Sequence, residues 1–205
     1  MPFLYLVLVV AFCVRFYGIW ANLPYVVHPD EPQIVNRALS LNPSDMNPHF
    51  FDWPGSLLIY VLFVCYRMLS LFGNLFRGIF GTPPGFIEDI STYYFIGRFV
   101  VVLFGVATIY LVYQIGLKIY DARVGLVAAL FLTFSFLHVE ASHHALPDIP
   151  LTFFMMLSFL ALLAAKLFID GVSCIFRKLN LATRPRQFLA LSSAAVLVLL
   201  PGWSI

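Results

Sequence analysis

The sequence predicts an all-α, polytopic membrane protein, with about five transmembrane helices and juxtamembrane helices in a large first outer loop. Two observations carry that expectation. Hydrophobic residues make up 61% of the 205-residue chain and charged residues only 11%, whereas soluble domains hold about 45–50% and about 25%. The apolar residues also gather into runs near the roughly 17–25 residues that a helix needs to cross a bilayer. In lipid every backbone polar group must be satisfied internally, so such runs are read as helices. A net charge of +2 with no basic run points away from nucleic acid.

The runs fall in order. Phe3–Trp20 is a retained first span, with Arg15 expected to snorkel toward a headgroup or a cavity. It lacks the basic start and small-residue cleavage site of a signal peptide. Tyr94–Leu117, Val124–Val139, Ile149–Ile169 and Phe188–Ile205 are further spans. Trp53–Phe72 is also apolar, but carries Arg67 and leads into the Gly- and Pro-bearing stretch 73–85. Charge resolves its place. Lys118 and Arg123 mark one loop as cytoplasmic, and Arg177, Lys178, Arg184 and Arg186 mark another. The turn 140–148 between the intervening spans has no Lys or Arg and must face outward. By parity the whole of 21–93 is an outer loop, and Trp53–Phe72 is an interfacial or re-entrant helix. A full crossing with the N-terminus outside is the alternative.

This topology sends the chemistry to one face, since all five histidines fall in or beside the outer loops. His28-Pro29-Asp30-Glu31-Pro32 places two adjacent carboxylates between prolines, just before a short amphipathic helix suited to the interface. Asp30 there is either a fixed acid or simply the helix N-cap. Asp148, before Pro150, has the same two readings, with His143 and His144 close by in sequence. Such a carboxylate pair could activate a hydroxyl or hold a cation. Arg98, near the outer end of its span, needs an anion or a route to the headgroups; a phosphate suits its bidentate fork. Adjacent His143 and His144 point about 100° apart on a helix, which makes them poor joint metal ligands. No cofactor is firmly implied, and a divalent metal stays open, since the carboxylates could hold one. Cys13, Cys65 and Cys174 have neither redox nor metal spacing.

Taken in order, these features resemble a known family. They are a first span, an Asp-Glu pair in a large outer loop, Asn47-Pro48-His49-Phe50-Phe51 leading to Trp53-Pro54 and a juxtamembrane helix, then Arg98 and Asp148-Ile149-Pro150-Leu151-Thr152-Phe153-Phe154. The set is similar to the N-terminal half of C-superfamily glycosyltransferases, nearest to the protein-O-mannosyltransferase-like, phospholipid-carrier-dependent branch that includes aminoarabinose transferases. The resemblance covers essentially the whole chain. It implies a single membrane-embedded glycosyltransferase module over 1–205, stopping short of the family's usual C-terminal length. It implies a sugar donor on polyprenyl or dolichyl phosphate, an acceptor hydroxyl on a protein or glycan, and transfer at the periplasmic, extracellular or lumenal face of a plasma or ER membrane. Asp30, Glu31 and Asp148 then stand at the catalytic positions, and Arg98, His144, His143 and His28 at substrate-binding ones. The implied reaction is an inverting displacement with Asp30 as base. A transporter or flippase of lipid-linked sugars, expected to carry broken helices and internal repeats, and a non-catalytic membrane subunit are the competing classes.

Overall fold

The structure is a computed structural model that describes residues 2–23, 25, 28–49, 55–81, 85 and 89–178. Those residues form seven helices: α1 (Pro2–Phe16), α2 (Glu31–Ser40), α3 (Ser56–Phe80), α4 (Ile90–Ile119), α5 (Ala122–Thr133), α6 (Phe136–Ala141) and α7 (Asp148–Lys178). Among them there is no strand beyond one isolated Asn42–Asp45 bridge, and the all-α membrane fold is as expected. The chain divides into units 1–160 and 161–205. In the second unit the described residues, 161–178, are helical. The expected span Phe188–Ile205 lies outside the described residues.

α4 is the spine of the first unit. At 30 residues it runs about 45 Å. α1 packs antiparallel to it: Phe12 and Phe16 meet Phe99 and Phe95 edge-on near the start of α4, while Leu4, Val7 and Ala11 join Ile109 and Tyr113 toward its end. Beyond α4, Asp121 caps α5 by accepting from the N–H groups of Arg123 and Val124. The two helices then touch at glycine. A Cβ on Gly116 would lie 2.5 Å from Gly125 Cα, so only glycine permits this approach. The chain continues antiparallel along α4, with Ser142 beside Gly105 and Ala145 beside Gly97.

The expected span Val124–Val139 is therefore not one helix. It is α5 and α6, broken at Phe134–Ser135. The break is filled by Arg15, which is fully buried rather than snorkelling. Its guanidinium donates to the Leu132 and Thr133 carbonyls, 3.0 and 3.2 Å away, and lies 3.0 Å from His138 Nδ1. Carbonyls freed at a helix end inside lipid need a donor, and a buried guanidinium supplies several.

α1 also ends sooner than the hydropathy implies. Gly18 adopts φ +87° and the chain turns over residues 17–23 instead of continuing as helix to Trp20. α2 begins with Pro32 in its first turn and buries Ile34, Val35 and Ala38. That face was expected to meet lipid. It is covered instead by Leu58, Ile59, Leu62 and Phe63 of α3. α3 is long and apolar enough to cross a membrane, as are α4 and the start of α7 through Ser173. It meets the first turns of α4: Tyr66 donates to the Tyr93 carbonyl, and Leu62 lies against Gly97. Beyond Tyr66, Met68, Leu71, Leu75 and Ile79 form an exposed apolar stripe.

Candidate active site

The loop between α1 and α2, the first turns of α4 and the turn before α7 converge at one end of the bundle. The centre of that convergence is Glu31. The helical spacing of α2 puts residue 31 on the same face as 34, 35 and 38, so its carboxylate enters the core with no exposed surface. Arg98 meets it side-on, Nε to Oε1 at 2.7 Å and Nη2 to Oε2 at 2.8 Å. The Ala145 N–H donates to Oε1 at 3.0 Å. Burial alone would raise this carboxyl. The Arg98 hydrogen bonds, the nearby His144 ring and the Ala145 N–H bond outweigh it, and together with the Arg98 charge hold the group down at about 2.

Arg98 was expected to meet a phosphate. In the structure Nε and Nη2 bind Glu31 while Nη1 donates to the Ile19 and Ala21 carbonyls at 2.8 and 3.1 Å. Four of its N–H groups are thus spent inside the protein, out of the five a guanidinium has. The carbonyls are available because α1 stops at Phe16 and the following loop, with Gly18 and Asn22 both at positive φ, turns back over the end of α4.

Around this pair stand the histidines. His144 lies between two acids, 3.9 Å from Glu31 Oε2 and 3.8 Å from Glu140 Oε1, and its ring is 5.0 Å from that of His28. At 3.9 Å the Glu31 contact is electrostatic rather than a formed hydrogen bond. His28 Nδ1 accepts from the Asp30 N–H at 3.3 Å. A cavity of about 280 Å³ is lined by Tyr17, Gly18, Ala21, Asn22, Arg98, His143 and His144. A larger, apolar groove of about 670 Å³ opens between Trp20, Leu23, Leu69, Phe95 and Ile96, with Asp89, Ser91 and Thr92 on its polar edge.

Asp30 differs from its neighbour. It precedes α2, yet its side chain makes no capping hydrogen bond; among the described residues its one side-chain hydrogen bond is a long one, accepted from Gln33 Nε2 at 3.4 Å. The capping explanation for this carboxylate therefore falls away. Asp148 is exposed in the first turn of α7, and its side chain forms no hydrogen bond or ion pair among the described residues. The structure thus brings Glu31, Arg98, His28, His143 and His144 together and leaves Asp30 and Asp148 outside the cavity wall. Among the described residues no three or more His, Cys, Asp or Glu side chains are grouped to hold a metal. Nothing in the residue order marks the Ala145 N–H or the Ile19 and Ala21 carbonyls; Gly18, placed where a span should continue, is the available hint.

No curated protein and no solved structure matches the chain. A family model described as dolichyl-phosphate-mannose-protein mannosyltransferase matches residues 5–196, nearly the full length and including every site residue named above. The chain belongs to the dolichyl-phosphate-mannose-protein mannosyltransferase family, whose members are membrane glycosyltransferases.

Proposed function

We propose that the chain transfers a sugar, mannose in the first instance, from a polyprenyl- or dolichyl-phosphate donor to an acceptor hydroxyl on a protein or glycan. The observation that carries this reading is the division of labour in the acid pair: Glu31 is locked on Arg98, while Asp30, one residue away, makes no capping bond and holds a long contact to Gln33. Transfer takes place at the face to which residues 17–49 and 140–148 belong, the outer face of a plasma or ER membrane by the charge rule.

The step is a single displacement with inversion. Asp30 takes the proton of the acceptor hydroxyl as that oxygen attacks the anomeric carbon. The bond from this carbon to the phosphate oxygen breaks, and the lipid phosphate leaves with the electron pair. As a stable anion it needs no strong general acid. Arg98 contributes its charge and its remaining N–H to that phosphate, while the apolar groove beside Trp20 and Phe95 takes the first part of the lipid chain. Glu31 is a positioning residue, because both its oxygens are occupied and buried. Asp148, exposed at the start of α7, orients the acceptor.

The break at Phe134–Ser135 is a feature expected of transporters. Here Arg15 seals it, and the family is one of transferases. The test is reconstitution in liposomes with radiolabelled polyprenyl-phosphate mannose. Release of the free lipid phosphate together with an acceptor product of opposite anomeric configuration is expected. Passage of intact donor across the bilayer without release would replace this reading with transport.

A further inference from the structure

An acid just before a helix is ordinarily drawn onto the N–H groups of the first turn. At the start of α2 those groups are met in another way. The Glu31 N–H donates to the His28 carbonyl and the Asp30 N–H to Nδ1 of the His28 ring, both at 3.3 Å. Pro32 has no N–H, and the Gln33 N–H donates to the Asp30 carbonyl at 3.1 Å. The Asp30 carboxylate is left with no first-turn donor to meet. Its backbone is helical, φ −89° and ψ −18°, rather than extended as in an ordinary N-cap.

The direction of the ring's hydrogen bond fixes its state. A backbone N–H can only donate, so Nδ1 accepts and carries no proton. A protonated imidazole is a donor at both nitrogens and could not hold this N–H. Among the described residues it is the His28 ring alone that accepts from the Asp30 N–H. The ring rests against that of His144, 5.0 Å away. The titratable and charged groups on this side are therefore Asp30, His144 across the ring contact and, beyond His144, Glu31, Glu140 and Arg98.

We infer that His28 is a positioning residue: by accepting the Asp30 N–H at Nδ1 it holds Asp30 in the helical conformation that keeps its carboxylate off the helix end and free to take a proton. With that acceptor lost, the Asp30 backbone relaxes to the extended form, and its carboxylate turns to the Gln33 N–H as an ordinary cap. Protonation of Nδ1 has the same effect, so acid disables the base through His28 as well as through the carboxylate itself. His28 thus acts through Asp30 and not by the substrate contact that the family resemblance implies. The inference rests on the transferase reading above.

The experiment follows release of lipid phosphate from polyprenyl-phosphate mannose by the full chain in nanodiscs, with donor affinity and amide exchange at Asp30 measured on the same samples. His28→Leu, which offers no acceptor, should lose about 10–10²-fold in turnover with donor affinity held, and its Asp30 amide should exchange faster. His28→Asn, whose side-chain oxygen can accept the same N–H two residues on, should recover most of the turnover and of the protection. Asn does not titrate, so the loss of turnover on acidification should be smaller in His28→Asn than in wild type. Full turnover in His28→Leu, or equal losses in Leu and Asn, would overturn the inference. So would a parallel fall in donor affinity, which would make His28 a substrate ligand. Where the Leu variant does not fold, the Asn variant decides: an acid limb identical to that of wild type would overturn the inference. A wild type that releases no lipid phosphate would instead defeat the transferase reading, and amide exchange at Asp30 would still test the turn.

Discussion

Glu31 and Arg98 are 67 positions apart in sequence, and each alone invites a catalytic reading. Together they satisfy one another, which no local pattern reveals. A buried ion pair broken on one side leaves an uncompensated charge, so Glu31→Ala should cost about 3–5 kcal/mol of stability, measured by thermal unfolding in detergent. Replacing both partners with methionine should recover most of that cost, because no buried charge then remains. The same pair fixes a pH window. The folded-state value of Glu31 is depressed, so its stabilisation is present above the ordinary 4.5 and lost as pH falls toward about 2. Unfolding temperature should therefore decline across that interval in the wild type and stay flatter in the double-methionine variant. Arg15 was legible only as an oddity. Its partners are backbone carbonyls at the end of α5, and a sequence does not advertise a carbonyl that a helix has released.

At the scale of elements, hydropathy located the apolar stretches but not their internal joints. Nothing in the run from Val124 to Val139 interrupts its apolar character enough to mark the break at Phe134–Ser135, which is set by tertiary partners. For α3, charge parity and length point different ways. Parity puts Trp53–Phe72 at the interface, while the helix is long and apolar enough to cross a membrane; it meets α4 at Tyr93 and Gly97, and its apolar stripe from Met68 to Ile79 is exposed. We read α3 as lying along the membrane surface with that stripe in the acyl boundary. Single cysteines at Ser44 and Asn74, before α3 and near its end, in a background free of Cys13, Cys65 and Cys174, test this with a membrane-impermeant thiol reagent. They should label from the same side. Labelling from opposite sides would make α3 a crossing helix.

For the molecule as a whole, composition decided the solvent and an ordered set of short motifs decided the family, while charge asymmetry supplies the expected face. Of the residues that the sequence singles out, Glu31, Arg98, His28, His143 and His144 lie together, while Asp30 and Asp148 stand outside the cavity wall. What each could do depends on which groups are already spoken for, and that no sequence pattern shows. The central claim is that Asp30 is the base because Glu31 is not free to be one. The measurement that bears on it most directly compares Asp30→Asn with wild type in the reconstituted release assay, with donor affinity and unfolding temperature measured on the same samples. Turnover should fall about 10²–10⁴-fold while donor affinity and stability hold. Full turnover in Asp30→Asn would contradict the account.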